Sequence, residues 1–94
     1  MLNDDEVTSR VRELMVESLD LRLSPEAIGN EVSLYSPVIQ LDSLNLLQLL
    51  LAVESEFGGQ IEDEDVMEAD LENVGDFIGL VRRHVETLRT EAAA

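Results

Sequence analysis

The chain contains no cysteine, lysine or tryptophan, and aromatics make up only 3% of its 94 residues. Without thiols there is no disulfide, no thiolate metal site and no cysteine nucleophile, and the redox compartment stays open. With so few rings, a core drawn from a 45% hydrophobic composition must be built from leucine, valine and isoleucine. No apolar run approaches the roughly 20 residues of a membrane span. The N-terminus, MLNDDEVTSR, is acidic and has no apolar signal region. A cytoplasmic protein with no membrane partner is the expectation.

Positive charge is scarce as well. Six arginines, at positions 10, 12, 22, 82, 83 and 89, face 21 carboxylates, for a formal net charge of −15. From Leu23 to Val81 there is no basic residue at all. Such a surface repels phosphate backbones, which excludes nucleic acid as a partner. It attracts proteins that present basic patches, mainly by speeding their encounter. A small domain this charged is expected to be a monomer.

The length makes one domain, residues 1–90, with 91–94 as a fraying tail. Asn3 or Asp4 can cap a first helix, whose Val7, Val11, Leu14, Met15 and Leu19 recur at spacings of three and four. Between Asp20 and Leu41 lie both prolines and Gly29, interleaved with apolar residues, so this long connection is too apolar to be disordered. Ser24-Pro25-Glu26 can start a helical turn within it. The second helix is capped by Asp42 and stopped after Phe57 by Gly58-Gly59. On a 100° wheel, Leu46, Leu50, Val53 and Phe57 form its core face, with Leu47 and Leu49 on the shoulders. Leu44, Gln48, Leu51 and Ser55 form a separate stripe, where polar residues are the norm. IEDEDVMEADLE (61–72) reads as an acidic loop with one short helix. Asn73 caps the last helix, which carries Val74, Phe77, Ile78, Val81, Val85 and Leu88; Arg82, Arg83 and Arg89 are placed to complement its C-terminal dipole. The fold expected is all-α, a small four-helix bundle of three main helices and a short one, with a long loop between helices 1 and 2.

Little of this can do chemistry unaided. His84 is the only histidine, no G-x-S-x-G is present, and no base is paired with a serine in sequence. Enzymatic activity is therefore not expected. The segment EDEDVMEAD resembles a calcium loop in charge only, because the EF-hand frame from Asp63 puts Glu68 at the glycine position and Val74 at the bidentate one. No metal site is expected. Ser43 is left, at the first helical position after the capping Asp42. A serine there is either a local helix-start effect or an attachment point at the positive end of a helix, and the residues alone leave both open.

Asp42-Ser43-Leu44, opening the helix LDSLNLLQLLLAVESEFG and followed by an acidic stretch and NVGDFIGLV, resembles the acyl carrier protein family across nearly the whole chain. The correspondence is poorest over residues 20–36. The resemblance implies a four-helix bundle in which Ser43 receives a covalent 4′-phosphopantetheine arm from coenzyme A, installed by a phosphopantetheinyl transferase using Mg²⁺. Asp42 is then helix cap and motif residue. The arm's thiol holds cargo as a thioester, consistent with a chain that encodes no thiol. The further partners implied are an acyltransferase or adenylating loading enzyme and the synthase enzymes.

In fatty-acid carriers the second helix presents carboxylates to basic partners. Here the matching exposed positions are Asn45, Gln48 and Ser55, beside Leu44 and Leu51, although Glu54 and Glu56 remain. These seven residues are the expected partner interface. A more apolar stripe suits a narrow set of enzymes in a polyketide or hybrid pathway, from a discrete carrier rather than a synthase module. An aminoacyl or peptidyl carrier is the nearest alternative, and an acidic helical interaction module without a prosthetic group is the alternative from another class. Leu46, Leu47, Ile61, Phe77 and Ile78 are expected to be ordinary core rather than the lining of a cargo cleft.

Overall fold

The computed structural model describes residues 3–93. Four α-helices follow in order: α1 (Asp4–Ser18), α2 (Ser43–Phe57), α3 (Asp63–Ala69) and α4 (Val74–Ala93), with a 3₁₀ turn at Pro25–Ala27 between the first two. The all-α bundle expected from the periodicity is the fold observed. No helix among the described residues is long and apolar enough to cross a membrane.

Each principal helix starts where a short polar side chain satisfies an orphan amide. Asn3 accepts the Glu6 N–H at 2.8 Å, and Asp4, Asp5 and Glu6 place negative charge on the first turn of α1. At α4 the cap is reciprocal. Asn73 Oδ1 accepts the Asp76 N–H at 2.9 Å while Asp76 Oδ2 accepts the Asn73 N–H at 3.1 Å. The helix α2 ends at Gly58 (φ 89°) and Gly59 (φ 72°), left-handed conformations that favour glycine.

The core gathers Val7, Val11, Leu14 and Met15 of α1, Leu49 and Val53 of α2, and Val74, Phe77, Ile78, Leu80 and Val81 of α4. Two wheel assignments shift. Leu49 is fully buried instead of sitting on a shoulder, while Leu47 is 54% exposed. A wheel finds the apolar arc of a helix, but its neighbours choose the centre, and α2, which packs against α1, turns Leu49 and Val53 into the core. Similarly, Leu80 is buried although it was not among the expected apolar positions. Ile61, Phe77 and Ile78 belong to the core, as expected, and Leu46 packs against it from the edge.

The connection from Asp20 to Leu41 is an ordered strap. Ile28, Leu34, Ile39 and Leu41 are buried, so it contributes core instead of merely spanning a gap. Backbone bonds tie it to the start of α4: Leu34 N–H to Glu72 O (2.9 Å), Val74 N–H to Val32 O (2.9 Å) and Gly75 N–H to Asn30 O (2.9 Å). A lone antiparallel bridge pairs Ser33 with Asn73. Arg12 of α1 holds the other side, donating to Ile28 O at 3.0 Å and to Asn30 Oδ1. Tyr35 Oη reaches Leu71 O at 3.1 Å, fastening the strap to the α3–α4 link.

The arginines do not cap α4 as its composition suggests. Because α4 reaches Ala93, its last turn holds no basic residue. Arg82 instead spans to Asp4 of α1 at 2.7 Å, and Arg89 pairs with Glu86 on its own helix. Of the expected tail, position 94 lies outside the described residues.

Two substitutions on α2 separate the observed core from the one read off the wheel. Leu49→Ala is expected to cost about 2–5 kcal/mol in chemical denaturation, and Leu47→Ala to stay within about 0.5 kcal/mol. At α4, Asn73→Ala should remove about 1 kcal/mol, read as a lower denaturation midpoint with unchanged slope.

Candidate functional site

The start of α2 is assembled by its preceding turn. Ile39 and Leu41 are buried, anchoring the chain on either side of Gln40, which takes a left-handed conformation (φ 53°). Gln40 N–H donates to Ser36 O at 2.7 Å, and its side-chain amide donates to Pro37 O at 2.9 Å. Leu41 and Leu46, the residues before the cap and at the fourth helical position, both pack on the core and fix the angle at which the chain enters the helix.

Asp42 is the cap. Its backbone is extended (φ −136°, ψ −178°), and its Oδ1 accepts the Asn45 N–H at 2.8 Å. Asn45 in turn donates from its side chain to Gln40 O at 3.3 Å. Ser43 occupies the first helical position with its side chain exposed. The carboxylate satisfies the helix start, so the hydroxyl is not required for it. Of the two roles the residues left open, capping belongs to Asp42.

Along α2, Leu44 (64% exposed), Leu47 and Leu51 (56%) share one outward stripe with Gln48 and Ser55, which are also exposed. Leu44 and Leu51 therefore do not tuck against the preceding loop. Leu47 was missed because a buried arc two leucines wide and an exposed one look alike in a leucine run. The two carboxylates of the expected interface have internal partners. Glu54 Oε2 accepts the Ile61 N–H at 2.7 Å, stapling the chain after α2, and Glu56 pairs with Arg10 of α1 at 2.7 Å. The Glu56 hydrogen bond raises the Arg10 pKa above its ordinary value, and Glu17 and Glu13 act in the same direction. Asn45 is half-buried and committed to Gln40.

Two further features bear on chemistry. His84 Nε2 lies 2.8 Å from Gly58 O, and in the tautomer that protonates this nitrogen it donates to that carbonyl. The imidazole thus ties α4 to the exit of α2, an assignment with no local signal because 26 residues separate the partners. Gly59 sits against the same ring and Leu88, where an added Cβ would meet both. A cleft of about 650 Å³ lies beside this contact, between Ile61, Glu62, Asp65, Arg83 and His84, but no residue of the Asp42-Ser43-Leu44 motif lines it. Among the described residues no group of three or more His, Asp or Glu side chains is placed to hold a metal ion.

The family model described as "Phosphopantetheine attachment site" matches residues 7–81. The chain is 31% identical over 78 residues to an acyl carrier protein of Thermosynechococcus vestitus, covering 82% of this chain and 93% of that one. It is 35% identical over 65 residues to an acyl carrier protein of Petrotoga mobilis, covering 69% and 73% respectively. A third, from Lactobacillus acidophilus, is 20% identical over 83 residues, 88% of this chain and 98% of that one. Family membership brings a covalently attached 4′-phosphopantetheine, a carrier's role rather than a catalyst's, and phosphopantetheinyl transferases and synthase enzymes as partners in general. The prosthetic group supplies the thiol that thioester chemistry needs and that this cysteine-free chain lacks. The match spans helices α1 to α4, and the chain belongs to the acyl carrier protein family.

Proposed function

We propose that Ser43 carries the 4′-phosphopantetheine arm and that the protein shuttles acyl thioesters between the enzymes of a polyketide-type pathway. The observation that carries the attachment site is the division of labour at the start of α2. Asp42 spends its carboxylate on the Asn45 amide, and Ser43 stands exposed beside it with no structural duty at the helix start. The hydroxyl is thus accessible to a transferase while the helix end stays capped. An exposed oxygen on a rigid first turn suits a phosphodiester, which gains about 0.3–1 kcal/mol from the positive end of a helix.

The partner reading rests on the outward stripe of α2. Leu44, Leu51, Gln48 and Ser55 are exposed and uncharged, and Leu47 extends the apolar part of the same face. Glu54, Glu56 and Asn45 border it, but each is held by an internal contact, which limits what they can offer a partner without losing that contact. Recognition here is apolar at its centre and polar at its rim, an arrangement that selects few partners by shape. That favours a specialised pathway over one in which a single carrier serves many enzymes through charge.

Intact-mass measurement after incubation with coenzyme A, Mg²⁺ and a broad-specificity phosphopantetheinyl transferase should show a gain of one phosphopantetheinyl group. Ser43→Ala should show none; a gain that persists in this variant moves the attachment site elsewhere. Truncating two interface leucines costs on the order of 1 kcal/mol or more, so Leu44→Ala with Leu51→Ala should slow acyl loading of the holo-protein by the native pathway's enzyme about tenfold, with an unchanged melting curve. Equal rates would overturn the apolar-contact reading. Mass spectrometry of the arm recovered from the native host identifies the cargo: a ketoacyl chain supports the polyketide reading, and an aminoacyl or peptidyl group replaces it.

A further inference from the structure

Most arginines in this chain are spoken for. Arg10 pairs with Glu56, Arg12 with Ile28 O and Asn30, Arg82 with Asp4, and Arg89 with Glu86. Arg22, like Arg83, is exposed and enters no ion pair or hydrogen bond among the described residues, and of the two it is Arg22 that lies near the start of α2. It lines a groove of about 580 Å³ between the end of α1 and the turn before α2. That size falls within the about 300–1,000 Å³ typical of small-molecule sites. The groove runs to Asp42 and Asn45, which lie on either side of Ser43 in the sequence.

The groove is preformed and chemically mixed. Its two rims turn through left-handed residues, Asp20 (φ 52°) and Gln40 (φ 53°), each held by its neighbours: Leu21 N–H bonds to Val16 O at 3.0 Å, and Gln40 N–H to Ser36 O at 2.7 Å. Leu23 (38% exposed) and Val38 (51% exposed) give it apolar walls that the core does not cover. The Gln40 and Asn45 side chains add amide groups; each uses one N–H internally, which leaves a second N–H and a carbonyl oxygen for another molecule. Two carboxylates, Asp20 and Asp42, also line it, and Arg22 is its only cation.

We infer that this groove seats the prosthetic arm itself, with Arg22 as the counter-charge for its phosphodiester. The inference rests on Ser43 as the attachment residue and deepens that reading. A phosphodiester on Ser43 stands beside Asp42 in a chain of net charge −15, with no basic residue from 23 to 81, so apart from the helix N-terminus its electrostatic surrounding is like charge. Arg22 is the one basic group in the groove that can offset it, and guanidinium is the side chain best shaped to fork onto phosphate oxygens. Beyond the phosphate, the arm offers a gem-dimethyl group and two amides, which complement the Leu23–Val38 walls and the Gln40 and Asn45 amides. Arg22, Leu23, Val38 and Gln40 are exposed and Asn45 half-buried, so the seat is shallow, and a partner enzyme lifts the arm out at small cost.

The test uses holo-protein with ¹³C-labelled methyl groups and an unlabelled arm. Complete modification is first verified by intact mass. Isotope-filtered NOEs from the gem-dimethyl protons to the Leu23 and Val38 methyls are expected in the wild type. Loss of an exposed ion pair in Arg22→Gln should lower their intensity about two- to fivefold, with partial recovery in Arg22→Lys. Arg22 is a surface residue, so both variants should retain the wild-type melting curve. If no mass is gained, the attachment reading falls and this inference with it. Full modification without these NOEs, or with NOEs unchanged in Arg22→Gln, overturns the arm seat alone.

Discussion

The hydrogen bond from the Asn45 amide to the Asp42 carboxylate sets the terms for everything at the start of α2. A helix N-terminus exposes several unpaired amides and demands an acceptor. Serine is as good an acceptor as aspartate, so a lone serine here would be drawn back onto the helix it begins. Placing the aspartate one residue earlier takes over that duty and turns the hydroxyl outward. The turn that delivers Asp42 to its place is itself over-determined, by the buried Ile39 and Leu41 and by the bonds of Gln40 to Ser36 and Pro37. The serine is thus presented on a fixed mount, whereas a carrier's chemistry belongs to the prosthetic group that the family bears.

The second theme is how a chain with so few cations holds together. Net charge of −15 on 94 residues favours expansion through self-repulsion. The arginines are spent where they relieve it: Arg10 draws α2 to α1 through Glu56, and Arg82 draws α4 to α1 through Asp4. Exposed ion pairs of this kind contribute about 0.2–1 kcal/mol each, so they tune a fold whose main support is apolar burial. Arg12 serves differently, meeting backbone and amide oxygens of the strap at Ile28 and Asn30. The strap then bonds the start of α4, so a loop that separates two helices in sequence joins them in space.

Local chemistry made much of this legible. The caps at Asp42 and Asn73 and the stop at Gly58-Gly59 are decided within a few residues and lie where composition placed them, and of the two candidates for the first cap it is Asn3, not Asp4, that serves. So is the first-turn position of Ser43. The centre of the α2 face was not, because Leu46, Leu47, Leu49 and Leu50 carry the same side chain and only packing in the folded bundle distinguishes them. The roles of Glu54, Glu56, His84 and Arg82 were equally invisible, since each depends on a partner 7, 46, 26 or 78 residues away. The dipole role assigned to the late arginines failed for a simpler reason: the helix continues past them. The acidic composition, too, says that carboxylates cover the surface but not which of them are already committed.

Tyr35 gives the molecule a property of a different sort. With no tryptophan and a single tyrosine, the protein's near-ultraviolet emission comes almost entirely from this one ring. Its hydroxyl rests on Leu71 O, at the seam where the strap meets the α3–α4 link. Phenol emission is sensitive to whether that oxygen is bonded to a carbonyl or to water. The chain therefore carries a native optical gauge at one defined joint, and unlabelled protein suffices to follow whether that joint opens while cargo is exchanged.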